Sequence, residues 1–204
     1  MEHIADTQSP QGIAAIVSRP QFDLTEALEG SPQLVVIADR LQDPGNLGSI
    51  IRTAEAAGAT GVVTTRDTVD PFNHKSLRAS MGAALRLPVV TDVRRQEIKR
   101  ACGERKIKLI ASKPGPARAK RIIEDAARAE TVFEYTDIDM TIPLALVLGR
   151  EASGVSGGAA ALANTFIYIP MAEGVESLNV AAAAAILLYE AARQRRFQFP
   201  NRQD

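Results

Sequence analysis

The chain has 204 residues, 46% of them hydrophobic, which is enough for one domain with a full core. Lys plus Arg equals Asp plus Glu at 24 each, which excludes a wholly basic nucleic-acid coat but not a local basic patch. One cysteine, Cys102, and two histidines, His3 and His74, exclude a disulfide framework, a cysteine-based metal site and an HExxH or multi-histidine metal site.

Residues 1–32 are heterogeneous. A short strand is expected at residues 12–17, and Asp23 is placed to cap a short helix ending at Leu28. MEHIADTQSP lacks a basic region followed by an apolar one, so no signal peptide is expected. Residues 33–38 form a compact apolar run, a buried-strand pattern that ends at Asp39-Arg40. After the turn Gln42-Asp43-Pro44-Gly45, a helix is expected from Asn46. Its apolar residues Leu47, Ile50, Ile51, Ala54 and Ala57 follow helical spacing, and Gly58 stops it.

Strands and helices then alternate. Strands are expected at residues 61–64, 87–90 and 107–111, with a surface helix at 94–103. A charge-rich helix is expected at 118–129 and a short extra strand at 131–135. Leu144 to Leu148 reads LALVL, a fully buried strand, and 165–169 is the next. The last helix begins at Val180 and has no polar face as far as Leu188, so burial all round is expected. This alternation, with near-continuous apolar strands, is the pattern of an α/β fold: a mainly parallel sheet with helices on both faces. Residues 193–204 are a basic, polar tail expected to fray.

Residues 94–121 hold eleven Lys or Arg against Glu97 and Glu104. A charge run is usually a solvated face, and the alternative is a phosphate-backbone track. No apolar run reaches the roughly 18 residues of a membrane span, so a soluble cytoplasmic protein with no membrane partner is expected. Phosphate-loop and dinucleotide-binding fingerprints are absent. Gly154-Val155-Ser156-Gly157-Gly158 matches the GxSxG hydrolase elbow, but no histidine follows Ser156 to complete a triad.

Three Gly- or Pro-containing loops follow expected strands: 43–48, 149–154 and 170–179. Loops at the carboxyl ends of parallel strands gather at one sheet edge. They carry Asn46, Arg52, Glu151, Ser177 and Asn179, a set of hydrogen-bonding groups and a cation with no histidine base. Singly, Asn46 reads as a helix cap and Gly149 as a turn glycine, and it is the conjunction that points to a site.

The same residues resemble the three motifs of the SpoU (TrmH-type) RNA ribose 2′-O-methyltransferases of the SPOUT superfamily. Asp39-x4-Pro44-x-Asn46-x-Gly48-x3-Arg52-x-Ala54-x3-Gly58 resembles the first. Leu146-Val147-Leu148-Gly149-Arg150-Glu151-x2-Gly154-Val155-Ser156 resembles the second. Ile169-Pro170-Met171, Glu176-Ser177-Leu178-Asn179-Val180 and Leu188-Tyr189-Glu190 resemble the third. The resemblance implies a C-terminal deep trefoil knot, a homodimer packed through the first-motif and terminal helices, and a structured-RNA substrate, ribosomal more than transfer. It implies S-adenosylmethionine, with no metal, bound around Leu148, Gly149, Ile169, Met171 and Leu178. Arg52 is then the residue that acts on the ribose hydroxyl. It either holds the substrate phosphate and favours the alkoxide, or loses its proton with that phosphate's help, since a guanidinium is a poor proton acceptor. Asn46, Ser177 and Asn179 orient the ribose and Arg52. Glu151 supports its loop or pairs with a cation on the substrate side, and Lys75, Arg78 and Ser80 resemble a substrate-binding segment. Residues 33–196 are then the catalytic domain, and 1–32 an arm or the remnant of a preceding RNA-binding domain, with 197–204 a tail. Ala181 departs from relatives that carry serine there. The rival readings are a non-catalytic RNA-binding relative and an α/β enzyme for another nucleotide.

Overall fold

The computed structural model describes residues 16–113, 131–149, 162–163, 165–175 and 177–195. Within them seven strands form one sheet: β1 (Leu34–Ala38), β2 (Gly61–Thr65), β3 (Val89–Val93), β4 (Lys108–Ser112), β5 (Thr131–Glu134), β6 (Leu144–Leu148) and β7 (Thr165–Tyr168). The spatial order is β3-β2-β1-β6-β4-β7-β5, and every pairing is parallel. The chain first builds outward from β1 through β2 to β3. It then crosses to β4 and β5, and later strands fill the gaps, β6 between β1 and β4, β7 between β4 and β5.

The central strands are buried on both faces, which is why they read as unbroken apolar runs. Their side chains alternate between two cores. Leu34, Val36 and Ala38 join one core with Leu47, Ile50, Ile51, Val180, Ala184 and Leu187. These come from α2 (Pro44–Ala56) and α5 (Val180–Gln194). Val35 and Ile37 join the other core with Ala27, Leu28, Ile98, Ala101 and Cys102, contributed by α1 (Leu24–Ala27), its C-cap and α4 (Arg95–Glu104). The basic residues of α4 therefore lie across the sheet from α2 and α5. Burial raises the Cys102 thiol to about 11, in keeping with an inert core cysteine.

A seven-residue helix, α3 (His74–Ser80), packs on α2. Gly48 permits the contact: a Cβ there would run into the Ser76 carbonyl and come within 2.7 Å of the Ala79 Cβ. Ser76 Oγ then donates to the Pro44 carbonyl at 3.0 Å. The N-terminal segment meets the loop before α3, where Arg19 lies 4.1 Å over the Phe72 ring and 3.7 Å from Asp70. At the other end of the chain, Arg195 donates to the carbonyls of Met140, Pro32, Gln33 and Ile142 at 2.8–3.0 Å. That clamp fastens the end of α5 to the segments entering β1 and β6.

The elements differ from expectation at a few points. α2 starts at Pro44, because Asp43 caps it and proline suits the first turn. Ile16 and Val17 are in neither helix nor strand, and the rest of the strand expected at 12–17 lies outside the described residues. So do the helix expected at 118–129, the GxSxG stretch and the tail beyond 195. The expected all-round burial of α5 is not met within one chain. Ala182 and Tyr189 are exposed, and Ala185 and Ile186 are only half-buried, so a stripe at helical spacing faces outward.

Candidate active site

Parallel pairing brings the carboxyl ends of β1, β6, β4 and β7 to one edge. Asp39, just past β1, is fully buried and fixes that edge. Its backbone N–H donates to the Leu148 carbonyl at 2.8 Å. Its Oδ1 accepts from Thr65 Oγ1 at 2.8 Å and from Arg95 Nε at 2.8 Å. This first-motif aspartate therefore acts as a structural anchor joining β1, β2, β6 and α4.

Two helix caps meet above the edge. Asp43 caps α2, its Oδ1 accepting the Asn46 N–H at 2.8 Å. That bond, with Lys75 3.4 Å from Oδ2, holds the Asp43 carboxyl below the usual carboxylate range. Asn179 caps α5, its Oδ1 accepting from Ala181 N–H at 2.8 Å and Ala182 N–H at 3.3 Å. With Oδ1 so used, the Asn179 Nδ2 must serve as donor, and it donates to Asn46 Oδ1 at 3.0 Å. Two amides 133 residues apart in the chain are thus locked in one orientation. The Asn46 Nδ2 points away from Asn179 as a consequence.

Beside this pair, Leu148 and Ile169 are buried and Gly149, Met171 and Leu178 are half-buried. Met171 and Leu178 rest against the α2/α5 core. The loop between them turns at Gly174, whose φ of 84° favours glycine. The Ser177 hydroxyl is exposed and has no protein partner among the described residues. Backbone groups at two strand ends with apolar side chains around them suit a largely apolar ligand carrying a few polar groups.

Arg52 lies six residues beyond Asn46 on α2, about 9 Å along the axis and about 120° round it. It is exposed and has no ion pair among the described residues, whereas Glu55, one turn further on, is held by Arg86 through two bonds of 2.7 and 2.8 Å. Lys75 and Arg78 are exposed on α3. Ser80 corrects its expectation: it is fully buried and its hydroxyl donates to the Leu77 carbonyl at 2.9 Å, so it belongs to helix packing and not to a substrate surface. Glu151 lies outside the described residues.

Sequence reasoning did not pick out the end of β4. Ser112 and Lys113 sit between the carboxyl ends of β6 and β7, because β4 lies between those strands. Only the strand order reveals this, and no local pattern carries it. Asp43 reads as a turn residue, although an aspartate directly before a proline that opens a helix is a readable cap signal.

Residues 33–189 match the family model described as the SpoU rRNA methylase family. The chain belongs to that family. It is 34% identical over 186 residues to the Bacillus subtilis 23S rRNA (guanosine(2553)-2′-O)-methyltransferase RlmP, covering 91% of this chain and 66% of the relative. It is 33% identical over 195 residues to the 23S rRNA (uridine(2479)-2′-O)-methyltransferase of Streptomyces viridochromogenes, covering 96% and 64%. Against the Ralstonia nicotianae 23S rRNA (guanosine-2′-O-)-methyltransferase RlmB, identity is 33% over 196 residues, covering 94% and 73%. Among solved structures, the SpoU methyltransferase AviRb of Streptomyces viridochromogenes in complex with AdoMet is similar with a TM-score of 0.75. Identity there is 33%, over 87% of this chain and 66% of that one. The chain therefore spans just under two thirds of several relatives.

Proposed function

We propose that this SpoU-family chain carries the catalytic domain of an S-adenosylmethionine-dependent ribose 2′-O-methyltransferase acting on structured RNA, ribosomal RNA foremost. The observation that carries the reading is the Asn46–Asn179 amide lock, set beside two strand-end loops with apolar walls. The residues present fit the cofactor: Leu148, Gly149, Ile169, Met171 and Leu178 offer backbone groups and apolar surface for an adenosyl thioether. When bound, S-adenosylmethionine supplies a methyl group already activated on a sulfonium, so no metal is called for.

The chain's own residues then have to position a ribose hydroxyl and stabilise charge as it develops on that oxygen. Asn46 and Asn179 hold fixed amides at the site, and the exposed Ser177 hydroxyl supplies a further polar contact. Arg52 is free to meet an RNA phosphate and favour the alkoxide. Glu151 stays in this reading as a substrate-side residue. Relatives named as ribosomal-RNA 2′-O-methyltransferases support the substrate class, and a cytoplasmic location is part of the same reading.

The same reading includes a deep trefoil knot formed by the C-terminal segments, supported by the likeness to SpoU structures. It also includes a homodimer, supported by the outward stripe of Ala182, Ala185, Ile186 and Tyr189 on α5. The test is methyl transfer from labelled S-adenosylmethionine to large-subunit ribosomal RNA transcripts, followed by nucleoside analysis. A ribose-methylated nucleoside is expected. Label found only on a base, or no binding of the cofactor at millimolar concentration, would sink the reading.

A further inference from the structure

α3 borders an open cleft of about 850 Å³, a volume that holds a nucleotide-sized ligand. Gly45, His74, Lys75, Leu77, Arg78 and Met81 line it. Gly45 in its wall immediately precedes Asn46 of the amide pair in the chain. The charged side chains of the cleft are cationic. Lys75 rests on Asp43 at 3.4 Å, but both groups are about half or more exposed, and such a pair costs little to open. Arg78 has no carboxylate partner among the described residues.

Met81 also lines the cleft. It is 65% exposed and takes the left-handed conformation, with φ 52°. Glycine would occupy that backbone position without strain, and the exposed thioether is not needed by the core. A large, polarisable side chain held in solvent beside two cations suits the face of a base whose phosphate lies on those cations.

We propose that this cleft is a subsite for the nucleotide adjoining the one that is methylated, its phosphate between Lys75 and Arg78 and its base against Met81. The inference rests on the RNA methyltransferase reading and adds a partner subsite to it. It places RNA on the α2/α3 side of the sheet, away from the basic run on α4.

The test is fluorescence anisotropy with a short labelled single-stranded RNA, titrated across a range of KCl concentrations. Lys75→Ala and Arg78→Ala are each expected to weaken binding about tenfold and to lower the salt slope by about one. Met81→Gly should weaken binding about fivefold at unchanged slope, since it removes the side chain where glycine suits the backbone. Lys99→Ala, on the exposed face of α4, should leave both quantities unchanged. S-Adenosylmethionine affinity should stay at the wild-type value throughout, which shows that the variants are folded. Unchanged affinity and slope in Lys75→Ala and Arg78→Ala would overturn the proposal. So would an equal loss in Lys99→Ala, which would mean diffuse charge attraction. A wild-type protein that binds this RNA through the cleft but transfers no methyl group would instead remove the catalytic reading and leave the subsite standing.

Discussion

Asn179 does two jobs with two atoms, and two substitutions separate them. Its Oδ1 caps α5 through two N–H groups, while its Nδ2 orients Asn46. Asn179→Ala removes both. Loss of a cap costs about 1 kcal/mol, and loss of an exposed amide–amide bond adds about 0.5. For a domain of this size 1 kcal/mol moves Tm by about 2–4 °C, so a fall of about 3–6 °C is expected. Asn179→Asp keeps an oxygen cap of equal rank and adds a charge that the helix dipole favours. The lost donor forces Asn46 to turn its amide over and present Nδ2 to the new carboxylate. Tm should then stay within about 2 °C of the wild type, while methyl transfer falls about tenfold to a hundredfold because Asn46 now faces the site with the wrong atom. Thermal unfolding by circular dichroism and initial rates on a ribosomal RNA transcript supply the two readouts. An equal loss of Tm in both variants would refute the cap assignment. A wild-type rate in Asn179→Asp would refute the claim that amide orientation matters.

Three further outcomes follow from packing and charge. Gly48→Ala places a Cβ against α3, so despite the better helix propensity of alanine it should destabilise the fold by about 1–2 kcal/mol in urea unfolding, and weaken RNA binding by displacing Lys75 and Arg78. Arg195→Met leaves carbonyls at Pro32, Met140 and Ile142 without their donor and should cost about 3 kcal/mol, read as a fall in the denaturant midpoint. The Glu190 carboxyl, held by Arg193 and Gln194, has a folded pKa below the ordinary value of 4.5. The stability it contributes is therefore fully present above that value and is lost as pH falls through the folded value. Glu190→Gln should lower Tm at pH 7, and the gap to wild type should close on acidification below about 4.5, measured by thermal scans across the acid range.

Much of the fold was legible because parallel strands buried on both faces leave a simple trace. Residues 33–38 and 144–148 are unbroken apolar runs, and both became central strands with five buried residues each. α2 was legible from its period and its stop at Ala57-Gly58. The order of the strands was not legible. β6 enters between β1 and β4 only after β5 is made, and that placement depends on crossovers rather than on local pattern. α3 was also missed as a helix, because seven residues ending in a left-handed methionine are too short to show a period.

The site divides along the same line. Asn46 and Asn179 were named from their loops, yet a cap asparagine is the ordinary reading of each, and both do cap or join helix starts. What makes them more than caps is the 3.0 Å bond across the chain, which no local window contains. Ser80 shows the reverse error. Its neighbours Lys75 and Arg78 lie five and two residues before it on the exposed side, but the helical rotation turns Ser80 inward against α2. A segment proposed to face RNA can thus carry a polar residue that serves only the packing holding the others in place. The close approach at Gly48 and the burial of Ser80 are two sides of that contact, so the glycine in the first motif sets where α3 holds Lys75 and Arg78.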